Sequence, residues 1–214
     1  MSLWTSSVIA ILLLQTVQPQ AQQVNDDSSR PVTVEEVSVA PEDSPRRPVA
    51  AKKGWTLTQS YADVFKILSS RNSCSSFYGG PRAATTVLND FFLLVRSREL
   101  FLEVSFQMAG KPRMIYDHSA RVFYRLFDTT FVNTNGSFYQ RRLDPMRKVP
   151  FDVGDFRPGT RQARALILLH ELGHLIRGEN GAWLIPDDGF DFQQSHANSL
   201  HIQEVCRVQL DALK

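Results

Sequence analysis

The apolar stretch at residues 163–178 constrains the fold of this 214-residue chain more than any other part of its sequence. An aliphatic run over 165–169 leads directly into His170, Glu171 and His174, which are arranged as H-E-x-x-H. A helix has about 3.6 residues per turn, so side chains four positions apart share one face, with Cβ atoms about 5–6 Å apart. A helix that is apolar on nearly every side belongs in a core. Ionisable groups are costly there unless they have a partner.

This spacing is typical of a zinc site in which both histidines bind the ion and the glutamate acts on water. Glu171 lies about 100° around the helix from His170, beside the metal, where its carboxylate can take a proton from the attacking water. We therefore expect His170 and His174 to be metal ligands and Glu171 to be the catalytic base. The alternative is a core helix whose histidines bond to backbone carbonyls, and it leaves the position of Glu171 unexplained.

The third ligand is less constrained by the sequence. A catalytic zinc site normally has three protein ligands and one open position. The extended H-E-x-x-H-x-x-G-x-x-H pattern is excluded, because Arg177 and Asn180 stand where it requires glycine and histidine. We expect Asp188 to be the ligand, because the glycine after it, Gly189, allows a sharp backbone turn. The alternatives are Asp187, Glu204, His196 and His201, or no third protein ligand.

The first part of the chain has the composition of a processed leader. Residues 1–22 contain no lysine or arginine and have an apolar run over 8–14, which is too short for a bilayer span but typical of a signal peptide. The alternative is a disordered apolar N-terminus. Residues 23–53 contain four prolines and no aromatic residue, so we expect a disordered linker or short pro-segment. Residues 54–214 then form one domain, secreted or periplasmic, without a membrane span in the mature chain.

Two cysteines, Cys74 and Cys206, are the whole cysteine content of the chain. A sparse, even count in an exported protein predicts one disulfide bond. The alternative is two separate buried thiols.

The net charge of the chain limits the kinds of partner that it can be expected to bind. The formal net charge is +2, which is too small to indicate a nucleic-acid partner. The arginine-rich segments are therefore interpreted as solvated surface.

Hydrophobic periodicity predicts an α+β domain with an antiparallel or mixed sheet. The first half of the domain is expected to contain a helix capped by Thr58 or Ser60 and ending near 71–72, and a second helix over 82–98. A strand over 100–108, a strand region over 114–128 and a hairpin at Asn135-Gly136 follow. The H-E-x-x-H helix then runs from Thr160 to Gly178, and a last helix begins at Asn198. A strand edge at this hairpin would suit an extended peptide, although an ordinary hairpin without a ligand is the equal alternative.

The sequence also resembles the zincin-like metallopeptidases. More narrowly, it is similar to a group of uncharacterised exported bacterial proteins with an L-H-E-L-G-H helix, an I-P-D-D-G loop and a last helix that ends in a cysteine. The matching residues are 169–174, 185–189 and 198–206, with a looser likeness around Cys74 and Phe77 to Gly80. The resemblance implies a zincin α+β fold and peptide-bond hydrolysis, with His170 and His174 as ligands and Glu171 as base. It does not settle the third ligand.

From these observations we expect an exported zinc-dependent metallopeptidase that acts on a peptide or protein substrate. Two alternatives stay open. One is an exported, zinc-stabilised binding module without turnover, and the other is a metal-free adhesion or envelope protein. The sequence does not indicate an oligomeric state.

Overall fold

The computed structural model describes residues 47–100, 105–140 and 153–213, all of which fall in one compact unit, Ser44–Lys214. The helices are α1 Arg47–Leu68, α2 Ser73–Phe77, α3 Pro81–Leu94, α4 Arg161–Leu175 and α5 Phe192–Asp211. The strands are β1 Val95–Arg98, β2 Phe106–Ala109, β3 Arg113–Asp117, β4 Val122–Leu126 and β5 Thr129–Asn133. The expected α+β class is confirmed. The predicted signal peptide 1–22 and residues 23–46 of the predicted linker lie outside the described residues.

Helix α4 is the centre of the fold and packs against α1, α3, α5 and β4. From Ala165 to Leu175 every residue except Glu171 is buried, as the apolar sequence predicts. The predicted N-cap is also confirmed, because the side chain of Thr160 accepts a hydrogen bond from the Ala163 amide at 3.2 Å.

The predicted end of this helix at Gly178 is wrong. Helix α4 ends at Leu175, and Ile176 already has extended backbone angles of φ −96° and ψ 135°. The amide of Arg177 donates to the Phe123 carbonyl of β4 at 2.9 Å. Pairing with a strand therefore ends the helix before the glycine is reached.

Five strands form two small sheets within the described residues. In the first, β5 lies between β1 and β2 and runs parallel to β1 and antiparallel to β2. In the second, β3 and β4 form an antiparallel hairpin. Arg121, just before β4, has a φ of 54° in the connecting turn.

The predicted hairpin at Asn135-Gly136 is wrong. After β5 the chain makes successive turns, in which the Gly136 amide donates to the Asn133 carbonyl at 3.2 Å. The buried Asn133 side chain accepts from the amides of Leu100 and Asn135 at 3.2 and 3.0 Å. These side-chain bonds stabilise a turn where the sequence pattern favoured a second strand.

Four other boundaries differ from the prediction. Helix α1 begins at Arg47 rather than at Thr58 or Ser60, so it includes the last residues of the predicted linker. Residues 95–98 are strand β1 rather than helix, because they pair with β5. Helix α5 begins at Phe192 rather than Asn198, because Asp191 caps it by accepting from the Gln193 and Gln194 amides. Of the strand predicted over 100–108, only the part from Phe106 is strand, and 101–104 lie outside the described residues.

The predicted disulfide is confirmed. Cys74 in α2 is bonded to Cys206 in α5, across 132 residues of sequence. Among the helices that the structure describes, none combines the length and the apolar character that a membrane span requires.

Candidate metal centre

Three side chains predicted as metal ligands converge at the C-terminal half of α4. The Nε2 atoms of His170 and His174 lie 3.0 Å apart. Asp188 approaches both rings, with Oδ2 at 3.0 Å from His170 Nε2 and Oδ1 at 3.5 Å from His174 Nε2. Two nitrogen ligands at about 2.0–2.1 Å from a tetrahedral ion are about 3.3 Å apart, so the spacing of the rings suits one small cation.

The donor set fits a divalent metal chemically. Two imidazoles and one carboxylate are common zinc ligands, and three protein ligands leave one coordination position open. One ligand atom from each of His170, His174 and Asp188 lies within 4.8 Å of the others, so the group could bind a metal ion.

A short hairpin carries the chain from the end of α4 back towards the histidines. Ile176 forms an antiparallel bridge with Tyr124 of β4, and Arg177 forms one with Trp183. The Leu184 amide donates to the Ile176 carbonyl at 3.0 Å. This hairpin, residues 176–184, extends the β3–β4 sheet. It places the segment that follows it, residues 185–189, beside His170 and His174, which together with Asp188 are called the metal group below.

Gly173, between the two histidines, allows that segment to approach closely. A Cβ atom at this position would come within 3.0 Å of the Ile185 side chain and 3.4 Å of Ile202. The glycine of the L-H-E-L-G-H sequence therefore makes room for the residues that support Asp188.

Helix α5 holds the other side of the site. Asn198 Nδ2 donates to the Pro186 carbonyl at 3.0 Å, which fixes the 185–189 segment against α5. Ser199 Oγ lies 3.0 Å from His170 Nδ1. A hydrogen bond at the nitrogen that does not face the metal sets the orientation and tautomer of a histidine ligand.

Arg125 of β4 connects the strand to the same site. Its Nε donates to the His174 carbonyl at 2.9 Å, and its terminal nitrogens bond to the Asp187 carboxylate. Its guanidinium stacks on the Trp183 ring, with Cζ 4.2 Å from the ring centroid. Asp187 Oδ1 in turn lies 3.7 Å from His174 Nδ1.

The ionisation of the group follows from these contacts. Burial alone would raise the pKa of the Asp188 carboxyl, but its hydrogen bonds with His170 and His174 outweigh burial and hold that pKa well below its usual range. Burial alone would lower the pKa of His174, but Asp188, Glu171 and Asp187 together raise it. The carboxylate is therefore ionised and available as a ligand.

Glu171 lies beside the two rings on the same helix. Burial raises the pKa of its carboxyl, the nearby Asp188 charge adds to this, and the two histidines oppose it. Within the described part of the chain, no hydrogen bond to this carboxylate is found, and the residue is not fully buried. A carboxylate with a raised pKa and no protein partner can accept and return a proton.

The candidates for the third ligand differ in exposure and in the direction that their side chains face. The Asp188 side chain is 16% exposed and faces the histidines, whereas that of Asp187 is 61% exposed and bonds to Arg125. The remaining candidates are exposed and outside the group: Glu204, His196 and His201.

Sequence reasoning missed Arg125 and Ser199. A charged residue between apolar neighbours in the 122–127 segment was a usable signal for Arg125. Nothing in the local pattern distinguishes Ser199 from an ordinary helix residue.

Comparison with known proteins gives no assignment for this arrangement. No family model, no curated protein and no solved structure matches the chain.

Proposed function

We propose that this protein is an exported zinc-dependent metallopeptidase. In this proposal His170, His174 and Asp188 hold the zinc ion, and Glu171 is the general base. One observation carries it: three metal-binding side chains converge within 4.8 Å beside a carboxylate that has no hydrogen-bond partner among the described residues. Packing alone does not explain this combination, because ionisable side chains in a core cost free energy unless they have a partner.

The chain's own residues account for the proton transfers. When bound, the zinc ion supplies Lewis-acid polarisation of the scissile carbonyl and makes water a usable nucleophile near neutral pH. The carboxylate of Glu171 accepts the proton of the attacking water and returns it to the leaving amine. Ser199 keeps the His170 imidazole in place, because its Oγ contacts Nδ1, the ring nitrogen that faces away from Asp188.

A peptide substrate is supported by the sheet beside the site. Strand β3 pairs with β4 on one side, and no strand of the described residues pairs with its other edge. This open edge lies across β4 from the 176–184 hairpin, which bridges to Tyr124 of β4. An open edge of this kind can bind an extended peptide through main-chain hydrogen bonds. This edge replaces the one that the sequence placed, wrongly, at Asn135-Gly136.

A cleft formed by β3, β4 and the chain from Arg177 to Pro186 favours peptides with large apolar side chains. It has a volume of about 600 Å³ and is lined by Met114 of β3, Phe123 of β4, and Trp183 and Pro186 of the segment that leads to Asp188. Apolar and aromatic walls bind apolar groups by excluding water from both surfaces.

Export is supported by the disulfide between Cys74 and Cys206. Structural disulfides form and persist in oxidising compartments and are rare in reducing ones. We therefore propose that the protein works outside the cytoplasm, secreted or periplasmic.

The test is cleavage of a peptide library by the purified protein, with and without a chelator. We expect cleavage that stops on chelation and returns with zinc, with a large apolar residue near the cut bond. Zinc binding without any cleavage would replace the proposal with a zinc-stabilised binding module. Cleavage that ignores the chelator would remove the metal from the mechanism.

A further inference from the structure

One ring nitrogen of His174, Nδ1, faces away from the other two proposed ligands. Its Nε2 faces His170 and Asp188, while its Nδ1 is buried and has no hydrogen-bond partner among the described residues. Asp187 Oδ1 lies 3.7 Å from that Nδ1, which is beyond a hydrogen bond but within ion-pair range. A shift of less than about 1 Å would make it a hydrogen bond.

Arg125 decides where the Asp187 carboxylate lies. Both of its terminal nitrogens bond to that carboxylate, in the fork geometry that makes arginine–carboxylate pairs directional. The Arg125 side chain is only 10% exposed, and its Nε is fixed by the backbone carbonyl of His174 itself. The Trp183 ring covers the guanidinium face.

We infer that Arg125 and Asp187 form a positioning pair that fixes the His174 ring for metal binding, in the way that Ser199 fixes His170. The inference rests on the proposed zinc site. It gives the two adjacent aspartates different roles. Asp188 is a metal ligand, and Asp187 is the hydrogen-bond acceptor for the outer ring nitrogen of His174, Nδ1. Outer carboxylates of this kind fix the tautomer of a histidine ligand and raise its basicity.

An ordinary surface ion pair would not have this geometry. Exposed pairs join flexible side chains and contribute little. Here the arginine is buried, and its contacts reach the histidine carbonyl, the ring of Trp183 and the residue before Asp188. These three contacts therefore link Arg125 to His174 itself and to the part of the chain that leads to Asp188.

The test compares zinc affinities of the purified full chain, measured by competition with a chromogenic chelator. Asp187→Asn keeps the size of the side chain and removes its charge, and Glu179→Gln removes one charge from an exposed position in the hairpin that precedes Asp187. We expect Asp187→Asn to weaken zinc binding by about 10-fold or more relative to Glu179→Gln. Arg125→Lys should weaken it similarly, and the double variant should be little weaker than either single variant, because the pair acts as a unit.

Two further readouts separate positioning from general stability. The melting temperatures of the metal-free Asp187→Asn and Glu179→Gln proteins measure any general loss of stability, and the two zinc affinities are compared at a temperature at which both metal-free proteins are folded. The visible spectrum of the cobalt-substituted protein should change in Asp187→Asn and not in Glu179→Gln. Equal zinc affinities and equal cobalt spectra in these two variants would overturn the inference while the zinc site itself stands. A wild-type chain that binds no zinc would overturn both.

Discussion

At the scale of single residues, Glu171 differs from the rest of its helix. Its neighbours on α4 from Ala165 to Leu175 are buried, whereas Glu171 retains exposure beside the two histidines. Burial also raises the pKa of its carboxyl. Packing does not explain this position, and in the proposed mechanism it is the residue that transfers the proton.

Replacing Glu171 with glutamine should separate metal binding from turnover. The amide has the same shape but cannot accept the proton of water, so we expect zinc content to stay at the wild-type level and cleavage to fall by about 100-fold or more. Zinc content is measured on the purified protein, and cleavage is measured with the best library peptide. Glu179→Gln is the matched control and should cleave normally. Wild-type cleavage by Glu171→Gln would remove the glutamate from the mechanism.

Gly173 tests whether the close approach of the 185–189 segment matters. Alanine favours a helix by about 1 kcal/mol over glycine, but its Cβ would press against Ile185 at 3.0 Å. We expect Gly173→Ala to change the free energy of unfolding of the metal-free protein by no more than about 1 kcal/mol. Zinc affinity should nevertheless fall severalfold, because displacement of Ile185 moves Asp188. Unchanged zinc affinity by competition titration would show that the segment adapts without moving the ligand.

Without metal, the group should make stability depend on pH in a defined direction. The folded pKa of His174 is raised, so its contribution is complete below the unfolded value of about 6.5 and is lost as pH rises through the folded value. The folded pKa of Asp188 is lowered, so its contribution is complete above about 3.9 and is lost only in strong acid.

Chelator-treated protein should therefore be more stable near pH 6 than at about pH 8.5, as measured by urea unfolding. The matched variant Asp188→Asn should show a smaller dependence over the same range, because it lacks the carboxylate that raises the His174 pKa. Stability that increases with pH in the wild type would contradict the assigned ion pair.

At the scale of elements, the site is made by packing that no local pattern encodes. The spacing of H-E-x-x-H predicted that the two histidines share one helix face, because four residues span about one helical turn, and their Nε2 atoms lie 3.0 Å apart. The positive φ of 49° at Gly189 agrees with the sharp turn expected after Asp188. The end of α4 was predicted wrongly, since Arg177 bonds to a strand more than fifty residues earlier in the chain. Arg125 and Ser199 reach the site through the same tertiary contacts.

Helix α5 should influence the metal through one side chain. Ser199 Oγ lies 3.0 Å from His170 Nδ1, so Ser199→Ala removes the partner of a histidine ligand. We expect zinc affinity to fall by about 10-fold. A useful control is Ser69→Ala, since Ser69 is an exposed residue at the end of α1. Equal zinc affinity in the two variants would show that His170 needs no orienting partner.

At the scale of the whole molecule, the disulfide ties the front of the domain to the helix that supports the site. Cys74 belongs to α2 and Cys206 to α5, and Ser73 Oγ also donates to the Val205 carbonyl at 2.7 Å. The sequence predicted this bond from the even, sparse number of cysteines in a chain expected to be exported, and it placed Asn198 and Cys206 on one last helix. It could not predict that Asn198 bonds to Pro186 and Ser199 contacts His170, because those contacts depend on how α5 packs against α4.

Removing the disulfide should lower the stability of the whole fold, and it should affect the metal group only through that loss of stability. A loop of 132 residues gives a contribution on the order of 4–5 kcal/mol on the chain-entropy model. We expect Cys74→Ser/Cys206→Ser to have a clearly lower free energy of unfolding in urea. Zinc bound to the folded state should recover part of that loss. A double variant as stable as the oxidised wild type would show that packing of α2 against α5 suffices.

The most direct test of the whole account is metal analysis of the purified chain, beside a variant in which both His170 and His174 are alanine. The account predicts about one zinc ion per wild-type chain, removed by chelation and restored by addition of zinc, and none in the variant. A wild-type chain that takes up no stoichiometric metal, or a double variant that takes up as much as the wild type, would contradict it.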